Sequence, residues 1–128
     1  SQIILDWAHN VQKMKALLKT IEKLYSRKKF IFILAFKKGK EYKKMIQFII
    51  PFAEKIIITH IFSTNQDLPH FSVSPEIIIT DIKKFGFSSV EVKNNIKDIV
   101  QTMNKGSASY VVSGSLYLLG DIYKALKV

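Results

Sequence analysis

Lys29-Phe30-Ile31-Phe32-Ile33-Leu34-Ala35-Phe36 is a run of aromatic, β-branched and aliphatic residues with no polar position after the first. A strand with one face in water alternates polar with apolar, so a strand that does not alternate is covered on both faces. The run therefore belongs in the middle of a parallel sheet with helices packed above and below it. It is also the longest apolar run in the chain, and it falls far short of the roughly 20 residues that a helix needs to cross a bilayer.

Outward from this run, strand and helix patterns alternate. On its N-terminal side, Val11, Met14, Leu17, Leu18, Ile21 and Leu24 fall at helical spacing with Asn10 as N-cap, preceded by a short apolar strand from Gln2 to Leu5. On its C-terminal side a basic loop, Lys37 to Lys40, leads to a second helix marked by Tyr42, Met45, Ile46 and Ile49 and stopped by Pro51. Lys55 to Thr59 is another buried strand, and the aperiodic stretch from His60 to Ser74 is expected to be a long loop. Ser74-Pro75-Glu76 signals a helix start that continues through Ile82 and Phe85 to Gly86. There follow a strand at Ser88 to Val92, a helix on Ile96, Ile99, Val100 and Met103 that ends near Gly106, and a last strand at Tyr110 to Val112. Ser113-Gly114-Ser115 makes a tight turn into a closing helix, Leu116 to Leu126.

Strand-helix alternation of this kind predicts one α/β domain over residues 1–128, a three-layer Rossmann-like fold with a mostly parallel sheet and helices on both faces. In such sheets ligands sit outside the carboxyl ends of the strands. The segments that matter are then Asp6 to Asn10, Lys37 to Glu41, Thr59 onward and Ser113 to Ser115.

Composition narrows the classes. Apolar residues make up 48% of the 128 and aromatics 12%, enough apolar surface to exclude a disordered chain. Cysteine is absent, which removes disulfides, thiolate metal sites and cysteine nucleophiles and suits a reducing compartment. The opening residues carry no signal-peptide pattern, and a cytoplasmic location with no membrane partner is the expectation. Basic residues number 20 against 10 acidic, a net +10, with Arg27 the single arginine and lysines spread along the chain. Either these form a solvated lysine surface or they help to recruit anions. A basic nucleic-acid-binding α/β module is the reading from a different class, but the aromatics sit in apolar strands and helices and no RNA- or DNA-reading motif is present, so no nucleic-acid partner is expected. The chain opens on Ser1 and enters a strand pattern by its second residue, so it is expected to be a domain of a longer protein.

Asp6, His9 and Asn10 lie just after the first strand. An aspartate there can accept hydrogen bonds from ribose hydroxyls, and a histidine can hydrogen-bond a carboxylate or phosphate, more strongly when protonated. Equally, Asp6 and Asn10 can simply cap the helix, with His9 an ordinary loop residue. Ser113-Gly114-Ser115 has the form of a small anion nest, glycine letting a ligand approach and helix-start N–H groups pointing outward; it can also be a plain strand-to-helix turn. Gly39-Lys40 lacks the upstream glycine and following hydroxyl of the G-x-x-x-x-G-K-S/T loop, and no G-x-G-x-x-G follows the first strand. His9, His60 and His70 do not have metal-ligand spacing, and no Ser-His-Asp arrangement stands out. Trp7 is expected to pack against a neighbouring face, with use as a base-stacking platform the alternative.

Asp6-Trp7-Ala8-His9-Asn10 resembles the D-G-A-H-N motif that opens the C-terminal domain of folylpolyglutamate and dihydrofolate synthases. Val111-Val112-Ser113-Gly114-Ser115-Leu116-Tyr117-Leu118-Leu119-Gly120 is similar to the closing V-T-G-S-L-Y-L-V-G of the same domain. The two motifs stand at the two ends of the chain, with the intervening elements in the family's order. The resemblance implies the C-terminal domain of an ATP-dependent amide ligase. Such an enzyme phosphorylates a folate or pteroate carboxylate, and the amine of L-glutamate then attacks the acyl phosphate. A larger N-terminal domain would hold the P-loop, the Mg²⁺ sites and most pterin contacts, so the isolated domain is expected to be inactive.

Carried over residue by residue, the resemblance assigns Asp6 to the ATP ribose, Asn10 to the nucleotide side, and His9 and Ser115 to glutamate. Lys40, retained from a D-K-D sequence that here reads Gly39-Lys40-Glu41, becomes a candidate carboxylate contact, with a solvated lysine the alternative. Trp7 replaces the motif's glycine and Val11 a common proline, and a Pro-Arg pair is not found in Ser63 to His70. Trp7 is nearer in size to the tyrosine of the D-Y-A-H motif in peptidoglycan-building Mur ligases, which makes that branch the alternative ligase.

Overall fold

The structure is a computed structural model that describes residues 2–61 and 72–126. Five strands, β1 (Ile3–Leu5), β2 (Phe30–Leu34), β3 (Ala53–Ile58), β4 (Val90–Val92) and β5 (Tyr110–Ser113), alternate with five helices. These are α1 (Val11–Leu24), α2 (Tyr42–Ile49), α3 (Pro75–Lys84), α4 (Ile96–Lys105) and α5 (Leu116–Leu126). The strands form one sheet in the order β1-β5-β2-β3-β4, and every pairing is parallel.

The opening run is central because its two faces feed two cores. Phe30, Phe32 and Leu34 point into one, with Met14, Leu18, Met45, Ile49, Ile78 and Ile82 from α1, α2 and α3. Ile31 and Ile33 point into the other, with Ile99, Met103, Leu118 and Ile122 from α4 and α5. Period-two alternation thus survives, but both destinations are apolar. All five β2 residues are buried.

Helix boundaries follow the predicted signals with two differences. Beyond Ile49 the chain continues as a 3₁₀ turn, Ile50–Phe52, with Pro51 inside it, and β3 opens at Ala53, two residues earlier than the apolar run suggests. Ser74 precedes α3 as predicted, yet its hydroxyl donates to the Glu76 carboxylate (2.9 Å) rather than capping a backbone N–H. A hydrogen bond from Glu76's own backbone N–H, and after it the bond from Ser74, holds the Glu76 carboxyl below the usual glutamate range. The middle of the expected loop, residues 62–71, lies outside the described residues, and with it the stretch searched for a Pro-Arg pair. Among the described residues no helix is long and apolar enough to cross a membrane.

The topology decides where a ligand can enter. Helices α1, α2 and α3 lie on one face of the sheet and α4 and α5 on the other. On leaving their strands, β1 and β2 therefore connect to one face, while β5, which lies between them, connects to the opposite face. Chains that diverge at neighbouring strand ends open a crevice between them, the switch point of a parallel sheet.

Candidate functional site

The tips of β1 and β5 are joined by three hydrogen bonds. Asp6 N–H donates to the Val112 carbonyl (3.1 Å), Gly114 N–H to the Ala8 carbonyl (2.9 Å), and Ser113 Oγ to the same Ala8 carbonyl (3.3 Å). Ala8 is fully buried beneath this seam. The joint holds the segment after β1 against the turn after β5, and so brings together residues about a hundred positions apart in sequence.

Around the seam lies a cleft of about 220 Å³ lined by His9, Lys37, Lys40, Gly114, Ser115, Leu116 and Tyr117. Three strand ends supply it: β1 gives His9, β2 the two lysines, and β5 the rest. Its volume is below the ~300–1,000 Å³ of pockets for drug-sized ligands and suits something as small as an amino acid. Two ammonium groups and an imidazole with no carboxylate among the described lining residues make it a cleft for an anion.

His9 is oriented by its own backbone. Its Nδ1 lies 2.9 Å from the Trp7 carbonyl, and since a carbonyl only accepts, Nδ1 carries the proton. The neutral ring then offers Nε2 as an acceptor, and the protonated ring offers it as a donor. Ser115 is buried, and its Oγ accepts from the N–H groups of Tyr117 (3.1 Å) and Leu118 (3.4 Å), capping α5. Two accepted bonds leave its hydroxyl proton to donate.

Asp6 and Trp7 line a different cleft of about 380 Å³, together with Lys13, Ala16, Leu17 and Thr20 of α1. Asp6 Oδ1 accepts from Ala8 N–H (2.9 Å), which leaves Oδ2 for a ligand. Asn10 lines neither cleft. Its Oδ1 accepts from Lys13 N–H (2.8 Å) and caps α1, so the capping function is real for this residue.

Two expectations need correction. Trp7 does not pack against a neighbouring face: it is 57% exposed, with the Lys13 ammonium 5.6 Å from its ring centroid. A side chain two residues into a turn at the edge strand has no core to enter. Gly114, for its part, serves the protein rather than a ligand. A Cβ there would stand 2.7 Å from the Ala35 carbonyl oxygen, and φ is +95°. The N–H groups of Gly114, Tyr117 and Leu118 are likewise used internally, so an anion nest would rest on Ser115 and Leu116.

Lys37, Leu116 and Tyr117 complete the cleft; Leu116 and Tyr117 stand in the closing motif, which assigned them no role, and Lys37 stands in no motif. Lys37 stands in the predicted loop after β2, but nothing in its spacing distinguishes it from its lysine neighbours. Thr59, at the tip of β3, is fully buried, and its hydroxyl has no partner among the described residues. No group of three or more His, Asp or Glu residues among those described could hold a metal ion. The described residues therefore do not fit Mg²⁺.

Residues 1–125 match the sequence family described as dihydrofolate synthetase, C-terminal domain. The probable dihydrofolate synthetase of Schizosaccharomyces pombe is 28% identical over 98% of this chain and 31% of its own length. For the dihydrofolate synthetase of Saccharomyces cerevisiae the values are 25%, 95% and 30%. The chain thus spans under a third of either relative. Among solved structures, the folylpolyglutamate synthase of Mycobacterium tuberculosis complexed with ADP and AMPPCP has a TM-score of 0.80 at 17% identity, over 98% of this chain and 30% of that one. That of Thermotoga maritima has 0.80 at 23%, over 98% and 28%. These structural likenesses show the fold.

Proposed function

The chain belongs to the dihydrofolate synthetase C-terminal-domain family, and on that premise we propose that it is the C-terminal domain of a larger cytoplasmic ATP-dependent ligase that joins L-glutamate to a folate or dihydropteroate carboxylate. In this reading the γ-phosphoryl group of ATP passes to the carboxylate. The glutamate amine attacks the acyl phosphate carbon, the C–N bond forms, and phosphate leaves. The N-terminal P-loop domain supplies phosphate and Mg²⁺ binding, while this domain positions glutamate and one side of the nucleotide.

The observation that carries the reading is the shared cleft, in which His9, Lys40 and Ser115 meet from three separate strand ends at the switch point. Lys40 and the Ser115 hydroxyl proton suit glutamate carboxylates. His9 Nε2, fixed by the Nδ1 contact to Trp7, donates to a carboxylate when protonated and accepts from the amino group when neutral. Asp6 takes the ribose hydroxyls from the neighbouring cleft, and Asn10 supports that side by holding the first turn of α1. Two clefts that share no lining residue suit two ligands.

The test is steady-state kinetics of the full ligase with dihydropteroate, ATP and labelled L-glutamate. His9→Ala and Ser115→Ala each raise KM for glutamate tenfold or more, as expected for a lost hydrogen bond to a charged group, worth about 1.5–3 kcal/mol, with KM for ATP little changed. Unchanged glutamate KM in both variants overturns the assignment.

A further inference from the structure

Trp7 is the only tryptophan of the chain, and it is more than half exposed at the tip of an edge strand. Burying so large an apolar ring is favourable, so leaving it in water is a cost unless something covers it. It forms one wall of the cleft of about 380 Å³ whose other wall is a stripe of α1 side chains at helical spacing, Lys13, Ala16, Leu17 and Thr20. The indole face and the carbons of Ala16, Leu17 and Thr20 give this open slot surface on which a flat ring can lie. Asp6, the residue next to Trp7, lines the same slot with one carboxylate oxygen uncommitted. Lys13, whose ammonium lies over the indole ring 5.6 Å from its centroid, supplies a positive charge at that face.

We infer that Trp7 is a nucleotide-specificity residue: the heterocyclic base of ATP stacks on its indole inside this slot while the ribose hydroxyls bind Asp6. The inference rests on the proposed nucleotide role of Asp6 and adds a base-recognition surface to it. The slot joins a stacking face, an acceptor for a diol and a cation suited to phosphate, which is the set of groups a nucleoside triphosphate presents. A stacked base gains affinity without hydrogen-bond readout, so purines are favoured over pyrimidines by their larger ring area.

The single indole makes the test direct. The chain is titrated with millimolar ATP while selectively excited tryptophan emission and backbone amide shifts are followed in the same samples. Emission is expected to be quenched with the same midpoint as the shift of the Asp6 amide. Trp7→Ala is expected to weaken ATP about tenfold, Trp7→Phe to retain most of the affinity, and inorganic triphosphate to bind both variants like the parent. UTP is expected to quench less than ATP. An Asp6 shift with neither quenching nor an effect of Trp7→Ala overturns the stacking role and leaves the Asp6 reading standing. No ATP response at either residue overturns both. Quenching by pteroate but not by ATP overturns the inference in favour of a pterin slot.

Discussion

At the scale of single residues, the seam between β1 and β5 depends on Gly114. Its φ of +95° lies where only glycine is relaxed, and the Ala35 carbonyl 2.7 Å from a would-be Cβ belongs to backbone that cannot swing aside. Gly114→Ala should therefore cost roughly 2–4 kcal/mol, combining left-handed strain with overpacking, and urea unfolding measures it. A second residue-scale prediction concerns Tyr42, whose hydroxyl donates to Asp81 at 2.6 Å. Burial first, then the hydrogen bond and the charge of Asp81, push the Tyr42 hydroxyl up from 10.0 to about 12. Because the folded-state value is the higher one, this contribution is intact below pH 10 and is lost as pH rises toward 12. Tyr42→Phe should cost about 1–2 kcal/mol at neutral pH and flatten the stability profile in that alkaline window. A parent profile with the same slope as the variant contradicts it.

At the scale of elements, α1 shows what a sequence can and cannot disclose. Its apolar spacing and the Asn10 cap were both legible, and Asn10→Ala should lower stability by about 1 kcal/mol, read as a shift in thermal midpoint. The central position of β2 was legible too, because an unbroken apolar run has only one comfortable place in a sheet. Side-chain destinations in turns were not legible. Trp7 has the composition of a core residue, and only the position of β1 at the sheet edge leaves it in water. Ser74 could cap α3 or bond Glu76, and local competition between two acceptable hydrogen bonds has no signature in spacing. Lys37 reaches the cleft by the path of the loop after β2, which periodicity cannot supply. The motif residues were legible as neighbours of strand ends, but their division between two clefts was not.

At the scale of the whole molecule, the proposed function makes this domain half of a site. In that proposal the crevice at the carboxyl ends of β1, β5 and β2 takes the anionic amino acid, and the slot beside α1 takes the nucleotide. Neither contains a phosphate-cradling loop, and no described cluster could hold a metal ion. The isolated chain should therefore show no ATP-dependent glutamate addition, and its ATP affinity should be weaker than micromolar; turnover by the chain alone contradicts this. The most direct test of the central claim is an amide chemical-shift map of the chain titrated with L-glutamate. The account predicts that His9, Lys40, Gly114 and Ser115 move together with one midpoint while the Tyr25–Lys29 segment before β2 stays still. Shifts confined to that segment, or to the lysine-rich surface without the cleft residues, would contradict it.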